Sequence, residues 1–451
     1  MSEILGKVEN IITLAESMGA DEVELFITHG KSFEIEIRQG QIISSSSSID
    51  SGVGIRVVLK KAVGFGYCNT LDKKKLEKTA EKAVQLAKSS KPDKNWCELP
   101  YPSSFPVVRG IYDKRITELS VEDIVEIADR MLQATADYDK RVTPYWGGAV
   151  SAHGIYAILN SHGVEGSEKS TVIGCMMGTV AQEGNQVSPE CSETDYKRSL
   201  NINPENVGRE AARLAIDSLK PKKIETGDYP VILAQDALTS LLGYTLVPTI
   251  SGDNVIRDKS AYKDKLNTRV ASEMLTVEDD GIMERGLNTA SFDGEGTPRQ
   301  KTTIIENGVL KNFIFDNYFG RRAGAKSTGN AKRRGYSATP NIGPTNLCIK
   351  KGDKNPEEMV SEIENGLFIR DVQGAHSSNP ESGEVSVVAT PCWKIEKGEI
   401  KYPVKGAMLA GNIYEMLKRI GSIGNNLRQL AYLEAPWISF ENVRIVGEAK
   451  L

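Results

Sequence analysis

The spacing of apolar positions changes character several times along the first ninety residues. Ile4, Val8, Ile11, Ile12, Ala15 and Met18 recur at helical spacing, and Gly19 stands where a left-handed C-terminal cap belongs, which predicts an opening helix. Alternation follows in Val23, Leu25, Ile27, then Phe33, Ile35, Ile37, then Val53, Ile55, Val57, Leu59. These runs are broken by Gly30, Gly40 and Gly52 and predict an antiparallel meander. Between them Ser44 to Ser48 has the composition of a flexible linker, but the flanking Ile42, Ile43 and Ile49 favour a polar edge strand. Leu76, Ala80, Ala83, Val84 and Ala87 return to helical spacing and complete an α+β unit over 1–90.

Pro92, Pro100, Pro102 and Pro106 mark 91–110 as a proline-rich linker with little periodic apolar content. A middle α/β domain over 111–222 follows, with a helix from Ser120, strands around Tyr156–Asn160 and Thr171–Ala181, and a helix opened by Asn203-Pro204 and stopped by Pro221. The run Val231-Ile232-Leu233-Ala234 begins a third, strand-dominated domain over 223–451. There Asp236 is expected to cap a helix bearing Leu238, Leu241 and Leu242. Asn307-Gly308 and, less strongly, Lys397-Gly398 signal hairpins.

Composition removes several function classes. In 451 residues, Lys+Arg 56 against Asp+Glu 60 leaves a net charge of −4, so there is no global attraction to nucleic acid or anionic membrane. The first helix carries Glu3, Lys7 and Glu9, and no long uninterrupted apolar stretch occurs later, which predicts a cytoplasmic protein. Six cysteines lie far apart without a C-x-x-C pair, excluding a disulfide framework or zinc ribbon and suggesting packed thiols.

The four histidines, His29, His153, His162 and His376, show no ligand spacing, and H-E-x-x-H is absent. His376 lies in the turn-rich Gly374-Ala-His-Ser-Ser-Asn-Pro380 and is a candidate for substrate contact. Asp293-Gly-Glu-Gly296 pairs two carboxylates that could ligate a hard cation, although a solvated turn is the favoured reading. From Arg321 to Arg334 six cations occur without an acid: Arg321, Arg322, Lys326, Lys332, Arg333 and Arg334. Such a loop either binds carboxylates or phosphates, as in peptide or partner contact, or is a solvated surface, the favoured reading.

The order of several short stretches resembles the TldD/PmbA family over nearly the full chain. They are Asp50-Ser-Gly-Val-Gly-Ile-Arg56 with Gly64-Phe-Gly66, Asn160-Ser-His-Gly163, Glu225-Thr-Gly-Asp-Tyr-Pro-Val-Ile232, Asp293-Gly-Glu-Gly296, Ser327-Thr-Gly-Asn330, Ser382-Gly-Glu-Val385, Pro403-Val404 and Ala410-Gly-Asn412. The resemblance implies an α+β protein: an α/β N-terminal half in two parts, then a large β-rich C-terminal domain, found in paired subunits of a cytoplasmic metalloprotease. In that family the TldD-type subunit bears a His-Glu-x-x-x-His zinc helix and a cysteine near the C-terminus. Here Gly243, Tyr244 and Pro248 occupy the positions resembling the histidine, glutamate and histidine, and Ile423 the cysteine position. The chain thus resembles the PmbA (TldE) branch, which lacks the metal site. This implies no catalytic residue or metal ligand in this chain, and zinc in a TldD-type partner subunit that together with it handles unfolded peptide. The alternative is a stand-alone peptide-binding or scaffold protein, a homodimer on the same fold. No nucleic-acid or membrane partner is expected.

Overall fold

The structure, a computed structural model, describes residues 2–447; the side chains at 2–5, 7 and 9, which include the expected Glu3, Ile4, Lys7 and Glu9, lie outside the described residues. The N-terminal half contains α1 (Ser2–Ser17), β1 (Glu22–Arg38), β2 (Gln41–Leu59), β3 (Ala62–Cys68), α2 (Lys73–Ser89), α3 (Lys114–Thr117), α4 (Val121–Ala136), β4 (Val142–Asn160), β5 (Glu165–Glu183), β6 (Gln186–Val187), β7 (Cys191–Lys197) and α5 (Pro204–Asp217). All its strands join one seven-stranded sheet in the order β3-β2-β1-β4-β5-β6, with β7 also on β5. β1 pairs antiparallel with β4 from Glu24↔Asn160 to Arg38↔Trp146, so the segments on either side of the proline-rich stretch share one sheet.

Alternation in β1 explains how this sheet is covered. Val23, Leu25 and Ile27 pack with Val53, Ile55 and Val57 beneath α1 and α2. Phe33, Ile35 and Ile37 pack with Ile173, Cys175 and Met177 beneath α4 and α5. The alternate positions face the other way, where Phe26 and Ile158 meet Phe292 of the C-terminal domain. The helices begin where their caps dictate. Asp72 accepts from the Lys75 amide, Ser120 and Asp123 form a capping box, and Asn203 caps a helix with Pro204 in its first turn. α5 ends at Asp217, before Pro221, with Ser218 as its C-cap.

Two expected breaks are not breaks. β1 runs through Gly30 and β2 through Gly52. A Cβ on Gly30 would come within 3.0 Å of the His153 carbonyl oxygen, and one on Gly52 would strike the Tyr336 ring, so these glycines permit close approach instead of ending strands. The serine tract is strand: Ser44–Ser48 pair with β1, while β3 pairs with β2 only from Val53 onward, leaving the outer edge of the tract open. Of the cysteines, none is bridged; Cys175, Cys191 and Cys392 are buried, but Cys97 is exposed and so is not a packed thiol.

The C-terminal domain begins with β8 (Lys222–Lys223), β9 (Gly227–Leu233), α6 (Gln235–Tyr244) and α7 (Leu246–Ile250). Its strands form a ten-stranded, a six-stranded and a small two-stranded sheet, and into the core α6 inserts Ala237, Leu238, Leu241 and Leu242. Burying each such leucine contributes about 1.5–3 kcal/mol. Ala234, not Asp236, is the N-cap of α6. Asp236 sits in the first turn and pairs with Arg370, where its charge also suits the positive end of the helix dipole. Both hairpins form, with positive φ at Asn307 (47°) and Gly308 (78°) and at Lys397 (52°) and Gly398 (75°). The molecule is α+β, with a helix-and-sheet N-terminal half and a strand-rich C-terminal part. No helix among the described residues is long and apolar enough to cross a membrane.

Candidate functional site

A groove of about 570 Å³ lies where the N-terminal sheet meets α6. From α6 it takes Asp236, Thr239 and Ser240, one face at helical spacing, and opposite them Thr194 and Tyr196 of β7. Leu430, Ala431 and Tyr432 close another side, and Tyr432 donates from its hydroxyl to the Thr239 carbonyl at 2.6 Å. Both flanking strands are edges: β7 pairs only with β5, and Arg428–Leu430 only with Leu433–Ala435, among the described residues. One end is fixed by charge. Glu193 of β7 accepts from Arg370 at 3.0 Å and also pairs with Arg428, and Arg370 in turn holds Asp236. Asp371, beside them, is pushed up by burial, while the Val372 amide at 2.7 Å and the Ser240 hydroxyl at 3.4 Å favour its charged form.

The positions singled out in the sequence fall into three places. Gly243 and Tyr244 close α6. A Cβ on Gly243 would lie 2.8 Å from the Tyr432 hydroxyl, so the helix presses against that tyrosine. Tyr244 is exposed and meets His376 edge-on, with ring centroids 6.4 Å apart. Pro248 lies in α7, its carbonyl accepting from Asn254 at 2.8 Å, and Ile423 is buried in the core strand Ile420–Ile423. These side chains offer no imidazole, thiolate or carboxylate, and among the described residues no three His, Cys, Asp or Glu side chains are grouped to hold a metal ion. The donor set does not fit zinc.

The cationic segment does not form one surface loop. Arg321 and Arg322 end the helix Asn317–Arg322; Arg321 pairs with Glu98 at 2.8 Å and Arg322 lies over the rings of Tyr318 and Phe319. Arg334 is exposed. Arg333 is inside: its side chain has 0% exposure, pairs with Glu24, donates Nε to the Gly294 carbonyl at 2.7 Å and lies 4.9 Å from the Phe26 ring centre. It is therefore closed to a peptide or partner.

The Asp293–Gly296 turn is likewise buried, not solvated, because it is where the two halves lock. Glu295 accepts from Arg56 at 3.0 Å and from the Asn317 amide at 2.9 Å, and Arg56 also donates to Glu24 at 2.6 Å. Asp293 accepts from the amides of Glu295, Thr297 and Ala331 at 2.9, 2.9 and 3.1 Å. Burial first, and the Glu295 carboxylate second, push Asp293 and Asp316 up to about 7. Burial pulls the Arg56 guanidinium down, but Glu24 and Glu295 outweigh it and hold it above its ordinary value.

Sequence reasoning did not single out Arg198, Asp371 or Tyr432, which the fold brings to one groove, or Arg299 beside it. Arg198 and Arg299 adjoin a second cavity, of about 300 Å³, that shares the walls Arg198, Leu287 and Asn288 with the groove.

Three parts of one family match the chain in order: PmbA/TldA metallopeptidase domain 1 at residues 23–87, the central domain at 114–219 and the C-terminal domain at 226–447. An uncharacterized protein of Methanocaldococcus jannaschii is 31% identical over 96% of this chain and 98% of its own. Metalloprotease PmbA of Escherichia coli O157:H7 is 27% identical over 95% of this chain and 93% of its own, and proteins named TldD homologs match as well. The crystal structure of TldE from Thermococcus kodakarensis superposes with a TM-score of 0.94 at 29% identity, covering 98% of this chain and all of that one. With the family's three domains in sequence and a full-length relative above 30% identity, the chain belongs to the PmbA/TldD metallopeptidase family.

Proposed function

We propose that this chain is the PmbA/TldE-like subunit of a cytoplasmic TldD-type zinc metalloprotease, that it carries no catalytic zinc, and that it helps hold unstructured peptide for a zinc-bearing partner. The observation that carries the reading is the groove itself. Two strand edges without a second strand neighbour, β7 and Arg428–Leu430, flank a cavity floored by the α6 face. Away from Thr194, whose amide and carbonyl are taken by Glu193 and Arg428, an extended peptide can satisfy its main chain on such edges without regard to sequence. The α6–α7 segment supplies neither ligand nor general base at Gly243, Tyr244 or Pro248.

His376, edge-on to the exposed Tyr244, is a second contact candidate on that helix end, and Arg321, Arg322 and Arg334 remain candidates for partner contact at the surface. Cleavage of one unfolded peptide by this chain, by a TldD-type subunit and by their mixture tests the reading. The expected result is no cleavage by this chain alone, chelator-sensitive cleavage by the mixture exceeding that of the partner alone, and no zinc retained by this chain after dialysis. Chelator-insensitive cleavage by this chain alone would defeat the proposal. A mixture no faster than the partner alone would favour a stand-alone homodimeric binding protein.

A further inference from the structure

Besides Arg333, which is already paired with Glu24, the cavity of about 300 Å³ beside the groove is walled by three basic side chains from separate segments: Arg198, which follows β7; Arg299; and Lys332. Among the described residues none of the three has a carboxylate within ion-pair distance. Arg198 donates only to carbonyls, those of Thr171 at 3.2 Å, Gly286 at 3.4 Å and Leu287. Arg299 spends Nε on the Phe292 carbonyl at 3.2 Å, and its Nη1 is buried without any acceptor. Burial first and the nearby Arg299 charge second push Lys332 down against the pull of Asp279, and burial pushes Arg198 down against the pull of Glu168, with Arg299 adding repulsion.

The acids nearby are already committed. Asp293 is saturated by three backbone amides. Glu168 accepts from the Ser291 amide at 3.1 Å and the Tyr156 hydroxyl, and Asp279 from Asn330 and Thr345. A buried charged guanidinium nitrogen without an acceptor is destabilising, and three cations facing one void add repulsion. An anion entering the void would relieve both, and a planar carboxylate matches the guanidinium fork. Because Arg198, Leu287 and Asn288 are walls of both cavities, a ligand reaching this void through the groove carries its carboxylate on an extended chain.

We propose that the Arg198–Arg299–Lys332 cavity is a carboxylate pocket that anchors a peptide lying in the adjoining groove, an inference that rests on the peptide-binding reading above. The peptide's own C-terminus and an acidic side chain are the two sources of that carboxylate. Anisotropy titration of the full chain compares three labelled, unstructured peptides: one with a free C-terminus and no acidic residue, its C-terminal amide, and the amide with one internal glutamate.

The free acid or the glutamate peptide is expected to bind about tenfold or more tightly than the plain amide, a difference of about 1.4 kcal/mol, and whichever does so identifies the source. Arg299→Gln should erase the difference, and Lys332→Gln, which leaves the Arg299–Phe292 bond in place, should reduce it. A second arm needs no peptide: sodium glutarate at matched ionic strength should raise the melting temperature of the unaltered chain and not that of Arg299→Gln. Equal binding of all three peptides, or an equal glutarate effect in the variant, overturns the pocket. If glutarate protects through Arg299 but no peptide binds, the pocket stands and the peptide-binding reading falls.

Discussion

Lys332 and Arg333 are neighbours in sequence, and the fold treats them in opposite ways. Arg333 turns into the joint between the two halves, where Glu24, Arg56 and Glu295 interleave opposite charges and the Gly294 and Ala338 carbonyls take its remaining donors. Lys332 turns into the neighbouring cavity beside Arg198 and Arg299, where no carboxylate comes within ion-pair distance among the described residues and Asp279 offsets the Arg299 charge only in part. Burial is comparable, but one cation is spent on structure and the other is held in reserve. The contrast shows that a basic segment cannot be assigned as a whole. The partner each charge meets decides its role, and the partners here come from segments hundreds of residues apart.

Breaking the paired side should have the largest effect. Arg333→Ala leaves Glu24, itself fully buried, without one of its two guanidinium partners, and losing one member of a buried ion pair costs about 3–5 kcal/mol. Urea unfolding should show this loss, and a double-mutant cycle with Glu24→Gln should recover part of it. A loss below about 1 kcal/mol would mean that the joint is not held by these charges.

Next in size is the pH dependence of the joint. Asp316 is raised to about 7 in the folded chain against an ordinary value near 3.8. Between those limits the folded state binds more protons than the unfolded one, so this group's contribution is full below about pH 4 and is lost as pH rises through 7. The slope for one such group is at most about 1.4 kcal/mol per pH unit. Asp316 caps its helix by accepting from the Phe319 amide at 2.7 Å, and asparagine caps equally well, so Asp316→Asn removes the proton without removing the cap. The variant should be relatively more stable at pH 8 than at pH 5 when each is compared with the unaltered chain. Parallel stability profiles would show that Asp316 is ionised throughout.

How far all this could be read from the sequence depends on what each residue packs against. The helices were legible because their buried faces repeat and their caps are local: Asp72, Ser120 and Asn203 each act within three residues. The long strands were only half legible. β4 and β5 run from Val142 and Glu165, well before the expected starts near Tyr156 and Thr171. Ala152-His153-Gly154 of β4 and Ser170 of β5 border a cavity instead of a core, and these stretches lack clean alternation. Asp236 misled for a different reason: a cap and a first-turn acid look alike until Arg370 is seen beside it.

The Arg321–Arg334 charges and the Asp293–Glu295 pair were each visible, but the burial of Arg333 beside that pair was not, since Arg56 and Glu24 lie in the first sheet. Family resemblance supplied the four substituted positions on α6, α7 and the core strand, which no local pattern marks as unusual.

On the unpaired side of the comparison the expected effect is smaller and of opposite sign. Lys332→Met keeps the apolar stem that lies beside Gly343 and deletes a charge that is largely buried, pushed down by desolvation and repelled by Arg299. Replacing an uncompensated buried charge by an apolar group of similar length is neutral or stabilising, here by about 0–1 kcal/mol. Unfolding at low and high salt sharpens the measurement: added salt should protect the unaltered chain more than the variant, because an anion can screen or occupy the cluster that the substitution has thinned. Arg334→Ala, one residue beyond the buried pair and exposed, is the control and should leave the melting temperature within error. If Lys332→Met destabilised as strongly as Arg333→Ala, the two neighbours would be doing the same structural work, and the division between a spent and a reserved cation would be lost.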